Sequence, residues 1–307
     1  MGTILDAAQI RELLHIRYPM LMLDRVEIES PTQLTGIRNL TMNELFFQGH
    51  FPGHPILPGV MQVEAMRQLA MLAVAKELDP SGSRNVYMRK LESVKFRKPN
   101  LPGDRMKVSA EVESIENGEA VIKCKTANCQ GVTCEAKITL AVREKSRPET
   151  MPCDYNEFDR NADIALDTVG LLAFMPHRYP FLLTDYIAKR DGDQVTSVKN
   201  VTGGEELFQA YEDDCKTFPE SLLCEVMAQA GCACVLSRPE NAGKIGYFMS
   251  IDSAEFFAPV YPGDQMVSHI GLPPSKSRFG KGSGEITVNG KLVMKITLMF
   301  AIVDGAK

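Results

Sequence analysis

Phe47-Gln48-Gly49-His50-Phe51-Pro52-Gly53-His54-Pro55-Ile56-Leu57-Pro58-Gly59-Val60-Met61-Gln62-Val63-Glu64-Ala65-Met66-Arg67-Gln68 is the stretch whose reading decides the fold. The thirteen residues from Phe47 to Gly59 hold three prolines and three glycines, so they read as a stiff, irregular loop. Pro58-Gly59 then opens a strongly apolar segment that runs to about Leu78, the pattern of a helix enclosed nearly all round. His50 and His54 stand in the loop, and Glu64 stands one turn into the helix. An imidazole that titrates near neutrality beside a carboxylate on a rigid frame is the layout of an acid/base site.

Working outward, Ile4 to Leu14 carries apolar residues at helical spacing, and Met20 to Glu29 and Gln33 to Leu40 read as strands. Beyond the apolar helix, Tyr87 to Phe96, Asp104 to Ser114, Glu119 to Asn128 and Gly131 to Arg143 read as further strands, with a turn at Glu116-Asn117-Gly118. Glu144 to Asp163 changes character: it is polar, contains Pro148 and Pro152 and has no apolar period, so an exposed linker is expected. The pattern then restarts. A shift of 161 places Arg178-Tyr179-Pro180 on Arg17-Tyr18-Pro19, Asp185 on Asp24, Phe208-Gln209 on Phe47-Gln48, and Glu225, Met227 and Gln229 on Glu64, Met66 and Gln68. A shift of 160 aligns Phe256 with Phe96 and Pro262-Gly263-Asp264 with Pro102-Gly103-Asp104. The chain is therefore read as a tandem duplication, with a first domain over 1–145, a linker over 146–163 and a second domain over 164–307.

Composition narrows the function. A chain of 307 residues suits two domains of about 150 each. A formal charge of −5 argues against nucleic acid as the main partner. No apolar run is long enough to span a membrane and nothing near the start reads as a signal peptide, which makes the cytoplasm the expected location. Eight cysteines are present, but they form no C-x-x-C pair and the five histidines do not cluster around them. Reduced, mostly buried thiols are expected, and no metal.

Gly49-His50-Phe51-Pro52-Gly53-His54-Pro55, followed by Pro58-Gly59-Val60 and Glu64, resembles the signature of the β-hydroxyacyl-acyl carrier protein dehydratases of FabZ type, with the FabA-type enzymes as relatives. Arg17-Tyr18-Pro19 with Asp24-Arg25, and Phe96-Arg97-Lys98-Pro99 with Pro102-Gly103-Asp104, resemble two further segments of that family. The order helix, strands, long helix, strands is α+β. The resemblance implies a tandem (double) hot-dog fold, each antiparallel sheet wrapped around a long apolar helix. It also implies that the two halves pair within one chain as a pseudo-dimer, and that such chains could assemble into a trimer.

The halves differ where the chemistry lies. Tyr211 stands opposite His50, Glu212-Asp213-Asp214-Cys215 opposite Phe51-Pro52-Gly53-His54, and Glu220 and Ser221 opposite Gly59 and Val60, yet Glu225 is kept. In the family, the histidine of one subunit works with the helix carboxylate of the other. The resemblance thus implies one composite site from His50 and Glu225, with Glu64 and Tyr211 left in a reciprocal, less promising pocket. His50 would act as base, and Glu225, if burial raises its pKa, would help protonate the departing hydroxyl or position the water that does. The backbone N–H groups of Gly59 and Val60, at a helix N-terminus, would face the thioester oxygen. A strut or a solvent-reaching residue is the plainer reading of Glu225, and loop architecture that of His54.

The implied reaction is dehydration of a (3R)-hydroxyacyl-acyl carrier protein to the trans-2-enoyl form, with no metal or redox cofactor. The implied partner is the acidic acyl carrier protein. Arg84, Arg89, Lys90, Lys95, Arg97 and Lys98 concentrate positive charge that could dock it, although lysine also commonly lines a solvated strand edge. An isomerase, hydratase or thioesterase on the same fold, or a non-catalytic acyl-binding subunit, are the competing readings.

Overall fold

Local capping decides where the first elements begin. In the computed structural model, which describes residues 2–153, 155–160, 163–211, 216–241, 243–272 and 279–304, the Asp6 carboxylate accepts from the N–H groups of Ala8 and Gln9 at 2.8 and 2.9 Å. The Gln9 side chain accepts in return from the Asp6 N–H, completing a capping box that starts α1 (Ala7–Leu14). The cap stops the helix short, so the stretch from Ile4 to Asp6, expected to be helical, instead belongs to β1 (Thr3–Asp6), which pairs with β2 (Arg25–Ser30). Met20 to Asp24, expected as strand, is irregular: its backbone bonds to the Gln68 side chain, and Asp24 accepts from the Asn39 N–H at 2.7 Å. The acidic segment Glu212-Asp213-Asp214-Cys215 lies outside the described residues.

The first half continues through β3 (Gln33–Asn39), the short α2 (Phe46–Gly49), α3 (Gly59–Leu78), β4 (Arg84–Phe96), β5 (Arg105–Glu116), β6 (Glu119–Asn128) and β7 (Gly131–Glu144). The second half gives α4 (Thr168–Phe174), β8 (Tyr186–Asp191), β9 (Gln194–Asn200), α5 (Glu220–Leu236), β10 (Lys244–Phe256), β11 (Gln265–Gly271), β12 (Phe279–Val288) and β13 (Lys291–Asp304). The strands of the described residues join one antiparallel sheet of 13, ordered β1-β2-β3-β5-β6-β7-β4-β10-β13-β12-β11-β9-β8. The halves meet at its centre, where Leu91 pairs with Ala254 and Val94 with Ile251. α3 packs against β3 to β7 of its own half and against α5, and one apolar core runs through both halves.

The described residues of 146–163 are mostly exposed, yet they are pinned to the second half. The Glu157 carboxylate accepts from the N–H groups of Asn289 and Gly290, and the Phe158 N–H donates to Gln265 at 2.7 Å. Phe158 and Ile164 pack on Tyr186, Ala188 and Val198.

Each buried helix also clamps the irregular segment of its own half by the same device. Gln68 accepts from the Met22 N–H at 2.8 Å and donates to the Met20 carbonyl at 2.6 Å. Gln229 accepts from the Leu183 N–H at 2.7 Å and donates to the Phe181 carbonyl at 2.9 Å. A buried backbone group without a partner costs about 1–3 kcal/mol. Gln68→Leu strands two such groups, so it should lower the unfolding free energy by about 2–5 kcal/mol. Urea titration checks this, and a loss below about 0.5 kcal/mol would remove the clamp from the account.

Candidate functional site

The His50 loop is closed on itself and then pressed onto the other half. Phe51 and His54 exchange backbone hydrogen bonds of 3.2 and 2.9 Å, and the Ile56 N–H donates to the His50 carbonyl at 3.0 Å. The Arg178 N–H donates to the Gly49 carbonyl at 3.0 Å. A Cβ at Gly49 would lie 2.1 Å from the Arg178 carbonyl oxygen, so only glycine allows this approach. The pseudo-symmetric contact, Arg17 N–H to Ala210 carbonyl, is 2.7 Å.

His50 Nδ1 lies 2.8 Å from the Ile56 carbonyl oxygen, which can only accept. The neutral ring therefore carries its proton on Nδ1 and a lone pair on Nε2. Burial pushes His50 down to about 4 and repulsion from His177 adds to this, more than Glu225 and the Ile56 carbonyl restore. Phe51 stacks on the ring at a centroid distance of 4.0 Å.

Glu225, only 5% exposed, reaches this loop from the first turns of α5. Gln229 donates to its Oε1 at 2.9 Å, and His177 Nε2 stands 3.5 Å from the same oxygen. The nitrogens of His50 and His177 and the Glu225 oxygen lie within 4.8 Å of one another, a spacing that could also hold a cation. Burial alone raises the carboxyl. Hydrogen bonding and charge from His177, the field of His50 and the Gln229 amide outweigh that and hold it below the usual carboxylate range. The condition of a raised Glu225 is thus not met: the environment favours the carboxylate.

The sequence alone names no partner for His177. It is buried, with its ring centroid 5.4 Å from that of His50 and 4.9 Å from that of Phe51. A signal existed: His177 directly precedes Arg178-Tyr179-Pro180, and the 161 shift sets it opposite Ile16.

The reciprocal carboxylate has another fate. Glu64, fully buried, takes a forked ion pair from Arg67 (2.9 and 2.7 Å), a bond from Gln68 (2.7 Å) and one from Ser221 of the other half (2.9 Å). Tyr211 is bridged to Ile16. Neither Glu64 nor Tyr211 reaches the cavity described next, because the Arg67 fork holds Glu64 turned into the core; the counterpart of Arg67 in α5 is Ala228.

His50, His177, Glu225 and Gly59 share the wall of one cavity of about 440 Å³, which continues between α5 and the second-half strands. α3 begins at Gly59 after Pro58, so the N–H groups of its first turn have no partner within the helix. A Cβ at Gly59 would meet the Phe96 ring at 2.8 Å; Val60 beside it is fully buried. His54, Arg97, Lys98 and Pro99 of the first half, with Met249 and Ser283 of the second, are exposed residues of the lining and mark where it opens. The basic cluster is partly committed elsewhere: Arg97 to Glu135 at 2.8 Å, Lys98 to the Gln130 carbonyl, Arg89 to Glu255 at 3.7 Å and Lys90 to Glu92 at 2.9 Å, with Lys95 exposed.

The profile of the FabA-like domain matches residues 14–139 and again 175–297. The chain belongs to the FabA-like family. Curated relatives match about half of it each. The 3-hydroxyacyl-[acyl-carrier-protein] dehydratase FabZ of Geobacter metallireducens is 39% identical over 149 residues, 48% of this chain and 99% of the relative. The FabZ of Roseiflexus sp. is 42% identical over 133 residues, 43% of this chain and 93% of the relative. Among solved structures, the dehydratase domain from the CurJ module of the curacin polyketide synthase superposes with a TM-score of 0.62 at 13% identity, covering 92% of this chain and 96% of the domain. A putative thioesterase from Novosphingobium aromaticivorans gives 0.59 at 13%, covering 93% and 99%. These likenesses establish a hot-dog dehydratase type of fold. Among the described residues of this family member, no helix is long and apolar enough to cross a membrane.

With His50 held near 4, a reaction that needs its neutral ring should keep full kcat/KM from neutrality through pH 6.5 and fall only as pH approaches 4. Stability shares the sign. Between about 6.5 and 4 the unfolded chain binds a proton at His50 that the folded chain does not, so stability declines as pH falls through that window. Rate profiles and melting temperatures against pH read both, and an acidic limb of kcat/KM centred at 6.5 would contradict the assignment.

Proposed function

We propose that this protein dehydrates (3R)-hydroxyacyl groups carried on acyl carrier protein to trans-2-enoyl groups, in acyl-chain biosynthesis, at one composite site per chain. Each repeat (1–145 and 164–307, joined by 146–163) is read as one hot-dog unit around its helix. The observation that carries the reading is the meeting of His50 from one repeat with Glu225 from the other in the wall of an apolar cavity.

His50 Nε2 takes the C2 proton, and the negative charge moves onto the thioester oxygen, facing the N–H groups of Gly59 and Val60. The C3–O bond then breaks. The leaving hydroxyl needs one proton, and the one removed from C2 supplies it, passed from the imidazolium by way of Glu225. Glu225 is thus a hydrogen-bond acceptor that orients the hydroxyl and a relay, rather than a resident acid. Arg97 and Lys98 at the opening, with Arg89, Lys90 and Lys95 on the same strand and its end, suit an acidic carrier protein. The paired repeats form the working unit; assembly of such chains into a trimer and a cytoplasmic location complete the reading.

Incubation with a 3-hydroxyacyl carrier protein should yield the enoyl product, read as a mass loss of one water. Glu225→Gln should lower kcat by about 10²–10⁴ although it lies in the other repeat. Glu64→Gln should act mainly on stability, since it weakens a buried ion pair whose disruption costs about 3–5 kcal/mol at most. A tight active-site ligand should titrate one site per chain. An inactive Glu64→Gln that is folded, beside an active Glu225→Gln, would move the site into the first repeat.

A further inference from the structure

Beyond the reacting groups, the cavity is walled by Met227, Phe248, Ile270, Leu272, Leu298 and Phe300. These are apolar side chains, and all belong to the repeat that has lost its histidine loop. At about 440 Å³ the cavity falls within the roughly 300–1,000 Å³ of sites that enclose small organic ligands, room for an elongated apolar group.

Two lining positions carry smaller side chains than their counterparts in the first repeat. On α5, Cys232 replaces Met71 of the first repeat; on β12, Gly282 replaces Ile122. Both line the cavity. A Cβ at Gly282 would sit 3.4 Å from the Gly271 carbonyl oxygen and 3.9 Å from both Leu272 Cδ2 and Leu298 Cδ1, within ordinary contact, and its backbone φ is not strained. A longer side chain there would therefore extend among the cavity-lining residues. In the first repeat the equivalent helix face is filled: Met71 Sδ accepts from Arg67 Nη1 at 3.1 Å, and Arg67 is forked onto Glu64. Ile122 is fully buried in that core.

We propose that the second repeat is the acyl-binding half, and that Cys232 and Gly282 set its depth, giving preference to acyl chains well beyond four carbons. The proposal rests on the dehydration reading for its substrate class, and on the cavity alone for its depth. A pocket discriminates between apolar chains through each methylene it can desolvate, by about 10–200-fold per group at best.

The test compares carrier-linked 3-hydroxydodecanoyl and 3-hydroxybutanoyl groups on the wild type, Gly282→Ile and Cys232→Met, the two replacements being the residues of the first repeat. The wild type should favour the twelve-carbon substrate by about ten-fold or more in kcat/KM. Each variant should lower that ratio by about ten-fold or more, with the loss falling on the long substrate. Calorimetry with dodecanoyl- and butanoyl-pantetheine gives a readout independent of turnover: tighter binding of the long probe by the wild type, lost in both variants. If neither substrate yields product, the dehydration reading fails while the binding series still judges the depth. A wild type without long-chain preference, or variants that weaken both lengths equally, would overturn the proposal.

Discussion

The antiparallel pairing of β4 with β10 is the constraint on which the rest of the structure depends. The two strands are repeat counterparts, and their register couples Leu91 to Ala254 and Val94 to Ile251, a pattern that is unchanged when the copies are exchanged. Self-complementary pairing of this kind is what a two-fold relation demands. It sets α3 and α5 against each other beneath one continuous sheet. Each helix's carboxylate then meets the other copy: Glu225 the His50 loop, Glu64 the Ser221 hydroxyl on α5. The Gly49–Arg178 contact fixes the His50 loop in that position. Neither repeat holds the constellation alone.

Placing both copies in one chain lets the two sides of the dyad diverge. A buried carboxylate must find a matching charge or donors, whichever side it is on. Glu64 finds the Arg67 guanidinium, whose fork satisfies both oxygens and fills the space around them. Glu225 finds the Gln229 amide and the His177 imidazole, with Ala228 where the arginine would be. One arrangement is a closed strut and the other leaves a wall open to a cavity. The same residue type at the same helical position thus serves packing on one side and faces an apolar pocket on the other.

Much of this was legible in the sequence. The Pro- and Gly-rich loop, the enclosed helix and the series of matches at a shift of 161 disclosed two copies of one α+β unit, because punctuation and periodicity are local properties. The meeting of His50 with Glu225 came through the family resemblance and not from spacing. What stayed hidden depends on contacts between distant segments. His177 looked isolated because its partners are 48 and 127 positions away. The ionisation of Glu225 stayed open because burial was visible in an apolar helix, whereas the groups that oppose it were not. The role of Arg67 was equally hidden, since a charge in an apolar run reads as a solvated residue until its partner at i−3 proves buried too. Asp6 as a cap was readable in principle from the Gln three residues on, and it misplaced the first helix by one turn.

The charge state of the site has a consequence for the proposed elimination. With His50 neutral and Glu225 ionised at rest, the base is available at once and the carboxylate is already negative. Taking the C2 proton turns His50 into an imidazolium within a few ångströms of that carboxylate, in a setting where charges are weakly screened. The attraction favours proton removal although burial disfavours a cation in isolation. The same attraction then draws the proton toward Glu225, beside the hydroxyl that must leave. A raised Glu225 would have offered a ready acid but would have withdrawn this stabilisation from the first step. His177, by lowering the carboxyl, shifts the balance from acid strength at rest to electrostatic support while the substrate's own proton is in transit.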